Sequence, residues 1–404
     1  MRTLSKVRNI EYWRTGQLRE KLIGGLRQVP SFGPILRLLR KRHRLKVALV
    51  RSWSATGGVR RFESELPYFA QDPAQRRLEL PALVVRSSDG RDIVSAGHPL
   101  VVEASDRYVR EVPEAHLLSN GIILSRGRRF VTENLYGAEA AALVHGVFGA
   151  FAQSFSPVED RLGVVFSLLG PMSHNYFHWL SDHLPRVEDF LLWRAVAAPN
   201  AKLLLAPAHW QIRFLELLGV GRELCINVPS KHTTAELVGV ASPPGYPEVP
   251  TLPAAPERLS WLRSRILAAL ALKEQLGTRR LFISRRDSAR RPIVNEDEIA
   301  RALEGCGFET VVLSDLDVHD QVRLFATAGA IVSAHGAGLA NLVFSTSPTV
   351  IELFAQDWIR PDFQALTLFT GGKHIGIALQ GSVSTNLRAD VEGLLRVLAK
   401  EVGD

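Results

Sequence analysis

Apolar residues keep two different rhythms along this chain. An apolar run at 163–169, ending in Gly170-Pro171, reads as a buried strand, and the segment after it, 175–193, has the spacing of a helix. The exchange repeats with a strand at 201–205, a helix at 209–218 and a strand at 236–240. Beyond residue 256 it becomes regular. A helix at 257–276 leads into strands at 280–284, 310–313, 330–333, 350–354 and 374–378, with helices at 296–305, 318–328 and 339–344. Parallel strands need a crossover, which a helix supplies, so this alternation predicts parallel sheets. A first strand is expected at 45–50, whereas 51–160 holds only short apolar runs and gives no clear order.

Six prolines fall within 241–256, where neither helix nor sheet can continue. The run separates two ordered blocks. The expected organisation is a basic amphipathic arm at 1–46, an α/β domain at 47–250 and a doubly wound α/β domain at 251–404. Two such domains facing each other leave a cleft at the carboxyl ends of their strands. The length of 404 residues agrees, since it suits two domains of about 150 residues with some chain left over.

Composition narrows the function classes. With 46% hydrophobic and 22% charged residues the chain is an ordinary globular one, and Cys225 and Cys306, far apart, form neither a disulfide framework nor a zinc site. A reducing cytoplasm is expected. The net charge of +8 belongs to the arm, where thirteen Lys and Arg face two Glu, so the body is mildly acidic and no nucleic-acid partner is expected. No signal-peptide core and no spanning apolar run occurs. Leu18, Leu22, Ile23, Leu26, Ile35 and Leu36 among the arm's basic residues give two readings: a helix pair lying on an anionic membrane face, or a solvated arm.

Three segments carry candidate chemistry. Residues 329–341 run from an apolar strand through Ser333-Ala-His335-Gly336-Ala337-Gly338 into a helix bearing Asn341, so that free N–H groups can meet a diphosphate. A glycine turn of this kind is also frequent as plain structure. Residues 281–296 end a strand in Arg285, Arg286, Arg290 and Arg291, whose guanidinium groups can hold a departing diphosphate in place of a metal, or form a solvated loop. Asn295 stands before Glu296-Asp297-Glu298 as an N-cap. Residues 174–186 contain His178 and Asp182 four apart on a helix, which makes a carboxylate-oriented general base. With His174 the same residues could ligate a metal, and they could also only bond backbone. A fourth feature is Glu352 in an apolar strand, either a paired core carboxylate or a ligand for ribose hydroxyls.

In their order, NYFHWLSDHLPR, FISRRDSARRPIVNEDE, SAHGAGLANLVF and VIELF resemble glycosyltransferase family 61 over roughly residues 160–380. The family includes bacterial capsular polysaccharide biosynthesis proteins and eukaryotic xylosyl- and N-acetylglucosaminyltransferases. The resemblance implies a GT-B fold of two Rossmann-like domains facing across a cleft, inversion at the anomeric carbon and no essential metal or resident cofactor. It further implies a nucleotide-sugar donor, a hexosyl or pentosyl group moved to a saccharide acceptor, and work on capsular or other surface polysaccharide. The matching positions are Asn175, Phe177, His178, Asp182, Arg285, Arg286, Asn295, His335, Gly336, Gly338 and Asn341; Ala340 departs where many relatives carry a hydroxyl. On this reading His178 or Asp182 is the base, and Arg285, Arg286, His335, Gly336, Ala337, Gly338 and Asn341 hold the donor diphosphate. Glu352 takes the ribose, and Asn175, Phe177 and Asn295 support the site. Outside the family two readings stay open: a metal-dependent hydrolase on His174, His178 and Asp182, and a non-catalytic nucleotide- or sugar-binding protein.

Overall fold

The computed structural model describes residues 54, 59–60, 77–87, 92–94, 100–104, 106–118, 121–135, 154–170, 172–228, 232–246, 252–288 and 290–402. The arm at 1–46 and the strand expected at 45–50 lie outside them. Among the described residues the chain is mixed α/β, with two seven-stranded sheets and a two-stranded ribbon, Arg77–Leu80 with Leu100–Glu103.

The first sheet has a parallel core. Thr233–Ala241, Asp160–Ser167, Lys202–Leu205 and Cys225–Asn227 run parallel in that spatial order, and Val109–Leu117 adds antiparallel to the outer side of Thr233–Ala241. The short strands Val59–Arg60 and Ile123–Leu124 pair with Val109–Leu117.

The second sheet is almost wholly parallel, in the order Phe308–Val311, Arg279–Ile283, Ala328–Ala334, Thr349–Ala355, Lys373–Leu379. Its strands are where apolar runs were expected, because a parallel strand covered on both faces has no solvent side to alternate with. Past Lys373–Leu379 the sheet continues with Val84–Arg86, parallel, and Asp92–Val94, antiparallel. These strands come from the segment whose sequence gave no order.

One apolar core runs between the sheets. It includes Phe166, Trp179, Trp193 and Phe214 from the first half and Phe325, Leu339 and Phe344 from the second, all buried. Where a single helix was expected at 175–193, the chain makes a short α-helix Tyr176–His178, a wide π-helical turn Trp179–His183, a 3-10 turn Leu184–Arg186 and the helix Val187–Val196. Pro185 is the cause, since it has no N–H for the carbonyl of Ser181 four residues earlier. That carbonyl instead accepts from the N–H of Ala254, at 3.1 Å, just before the helix Pro256–Ala269. Among the described residues no helix is long and apolar enough to cross a membrane.

Candidate active site

The site is assembled at strand ends and helix starts of both halves. On the first, Asn175 caps the helix Tyr176–His178, its Oδ1 accepting from the N–H groups of Phe177 and His178 at 3.0 and 3.3 Å. This fixes His178, whose Nδ1 lies 2.6 Å from Asp182 Oδ2. The other oxygen of Asp182 accepts from Ser181 Oγ at 2.6 Å, and Asp182 is buried. With Nδ1 turned to a carboxylate, the free ring nitrogen of His178 is Nε2, the arrangement a proton acceptor needs. Burial, and after it the neighbouring His178, lower the pKa of His174. No group of three His, Cys, Asp or Glu among the described residues is arranged to hold a metal ion.

On the second half, His335 follows the strand Ala328–Ala334 and its Nδ1 lies 2.6 Å from Glu352 Oε1. The second oxygen of Glu352 meets His374 Nε2 at 2.7 Å. The Glu352 side chain is wholly buried and both its oxygens serve imidazoles, so it does not present itself to ribose hydroxyls as expected. Burial pushes the His374 pKa down to about 3 and lowers that of His335, while it raises that of Glu352. His374 is therefore a neutral donor to the carboxylate.

Arg285 leaves the end of the strand Arg279–Ile283 and is fixed by four bonds. Its backbone N–H donates to Glu296 Oε1 at 2.7 Å, Nη1 to the His335 carbonyl at 2.8 Å, and Nη2 to Ser288 Oγ and the Arg290 carbonyl at 3.0 and 3.1 Å. Gly336 is needed for this approach. Its backbone is extended, but a Cβ there would overlap Arg285 Nη1. Gly338 rests on Leu313, whose Cδ1 would come within 2.6 Å of an added Cβ. Ala337 opens the 3-10 turn Ala337–Phe344 between them.

Arg286 goes elsewhere. Its side chain is 55% exposed, with Nε on Ser284 Oγ at 3.1 Å and Nη2 a distant 3.7 Å from Asp297. Asn341 is fully buried; its Oδ1 accepts from Tyr176 Oη at 2.7 Å and its amide donates to Gln321 and the Gly338 carbonyl. It joins the two halves. Asn295 holds the N-cap position of the helix Glu296–Glu304 without a side-chain cap bond, a correction to the expected cap. Buried beside residue 389, it exchanges hydrogen bonds of 3.0 Å with both the carbonyl and the N–H of Ala389.

Two residues that sequence reading missed connect the halves. Arg360 grips Asp362 through Nε and Nη2, at 2.8 and 3.3 Å, and lies over the Trp358 ring. Asp362, buried at the start of the helix Asp362–Phe369, has its pKa raised first by burial and then by Asp182, against Arg360 and His178, which lower it. Arg360 in turn acts on His335 and Arg291. The next residue, Phe363, packs its ring 5.2 Å from both His335 and Phe177. A charged pair at the mouth of a helix, flanked by Trp358 and Phe363, is the signal that could have drawn attention to it.

A cavity of about 460 Å³ lies apart from this cluster, between the second sheet and the helix Val391–Glu401. Leu353 and Ile377 line it, whereas the neighbouring Glu352 points to the other face, as alternate residues of a strand do.

The family model described as Glycosyltransferase 61 matches residues 176–351. A Beta-1,2-xylosyltransferase of Arabidopsis thaliana is 28% identical over 125 residues, 25% of this chain and 23% of the relative. Beta-1,2-xylosyltransferase RCN11 of Oryza sativa subsp. japonica is 28% identical over 151 residues, 31% and 28% of the two chains, and XYXT1 of the same plant 45% over 75 residues, 18% and 16%. The chain thus spans about a quarter of the length of the curated relatives it matches. Residues 176–351, which hold His178, Asp182, Arg285 and His335, are thus the part of this chain that is similar to glycosyltransferase family 61.

Proposed function

We propose that this protein is an inverting glycosyltransferase, moving a sugar from a nucleoside diphosphate to a hydroxyl of a saccharide. One observation carries the reading: the Phe363 ring packs 5.2 Å from both Phe177, next to His178, and His335, with Arg360 held on the adjoining Asp362, so base and cations attend one space. The acceptor O–H loses its proton to Nε2 of His178, oriented by Asp182. Its oxygen bonds the anomeric carbon as the bond from that carbon to the diphosphate breaks, and the electron pair leaves with the phosphate. Arg285 and His335 meet the developing charge, which fixed guanidinium groups stabilise without rearranging.

In this scheme Glu352 holds His335 in place and Asn341 ties the halves together, so neither touches the donor. The two halves act as the facing domains of a GT-B enzyme, with no metal required. The acceptor is a capsular or other surface saccharide, reached from the cytoplasm with the basic arm 1–46 resting on the anionic membrane face. Plant relatives named for β-1,2-xylosyl transfer put a pentosyl donor first in the panel to try.

The test is transfer from a panel of nucleotide sugars, followed with and without chelator. Transfer that survives the chelator and disappears in His178→Ala is expected. Activity lost to chelator and restored by added metal would favour a hydrolase built on His174, His178 and Asp182.

A further inference from the structure

Arg291 stands in left-handed backbone, φ 55°, which costs a residue with a Cβ and persists only when its surroundings hold it. They do so on both sides. The Arg290 carbonyl accepts from Arg285 Nη2 at 3.1 Å, and the Pro292 carbonyl from the Leu387 N–H at 2.9 Å. The loop thus carries a strained corner at the residue that bears this side chain.

The side chain is half-buried, and among the described residues no hydrogen bond or ion pair holds its guanidinium. Arg285, Arg290 and Arg360 surround it, and the acid within reach is Glu352, already shared by two imidazoles. Burial and these neighbours pull its pKa down to about 10, still charged at neutral pH. Arg285 Nε, buried alongside, also has no hydrogen-bond partner among the described residues. A half-buried guanidinium with no hydrogen-bonded anion of its own is unfavourable until a counter-ion arrives. A diphosphate, with oxygens enough for several guanidinium groups, is the anion this chemistry fits.

We infer that Arg291, with Arg360 beside it, is the second arm of the diphosphate clamp that Arg285 begins, and that Arg286 stands outside it. The inference rests on the reading of the chain as a nucleotide-sugar transferase.

Titration calorimetry at fixed salt tests it with uridine, guanosine and adenosine diphosphates and the corresponding nucleosides. Arg291→Asn removes the cation yet tolerates the left-handed corner. Its affinity for the tightest diphosphate should fall about tenfold or more, with nucleoside binding unchanged, because a charged hydrogen bond is lost. Arg291→Lys should recover part of the loss, and Arg286→Ala should stay within about twofold of the parent protein. Ligand-free melting temperature should hold steady or rise in Arg291→Asn, since strain is relieved and no internal bond broken. Equal diphosphate affinity in Arg291→Asn, or a clear fall in its ligand-free melting temperature, overturns the assignment alone. If the parent protein binds none of the diphosphates, the functional reading falls and takes this one with it.

Discussion

Two imidazoles in this protein are held in the same way and surrounded in opposite ways. His178 and His335 each turn Nδ1 to a carboxylate at 2.6 Å, Asp182 and Glu352. Around His178 the further charges are acidic, with Asp362 close to both members of the pair. Around His335 they are basic, Arg291 and Arg360, with Arg285 on its carbonyl. Orientation alone would make either a base. The neighbouring charges separate them, since the guanidinium groups beside His335 oppose a gained proton there. On the proposed mechanism, proton acceptance falls to the first half and anion binding to the second.

The comparison can be broken at several points. Replacing His178 by Ala should cost the most, about 10²–10⁴ in transfer rate, as expected for loss of a general base. His335→Ala should instead raise the KM for donor more than it lowers kcat, and steady-state kinetics in both substrates distinguishes the two outcomes. Equal effects on both constants in both variants would remove the division of labour.

Stability should show the next effect. His374, with a folded pKa of about 3 against an unfolded value of about 6.5, binds fewer protons folded than unfolded between those limits. Stability is therefore lost as pH falls from about 6.5 toward 3, and His374→Gln should flatten that part of the melting-temperature profile relative to the parent. Tyr176→Phe removes the hydroxyl that donates to Asn341 at 2.7 Å and lies 3.0 Å from Gln321, for a loss of about 1–3 kcal/mol in urea unfolding. The smallest effect belongs to Arg286→Ala: its exposed contact with Asp297 at 3.7 Å predicts a change within about 0.5 kcal/mol.

Most of the second sheet was legible because its inner strands hold apolar runs, at 281–283, 330–332 and 353–355. Val109–Leu117 was not. It carries Arg110, Glu111 and Pro113 inside an antiparallel strand, and their charges are spent on tertiary partners, Arg110 on Glu133 and Glu111 on Trp193. No local rhythm announces such pairs. Within the site, the His178–Asp182 spacing was readable because both residues share one helical face. The nearness of Asp362 to that dyad was not, because it exists only once the halves meet. Glu352 marks the same limit: an acid in an apolar strand announces a partner, but its spacing does not say whether that partner is a sugar or an imidazole.

The ring of Phe363 lies between Phe177, next to His178 in the chain, and His335. Hydrocarbon thickness therefore acts as a gauge block between the two imidazoles. On the proposed mechanism it sets how far an incoming hydroxyl stands from a departing phosphate, a length that a charge change at either end leaves as it is.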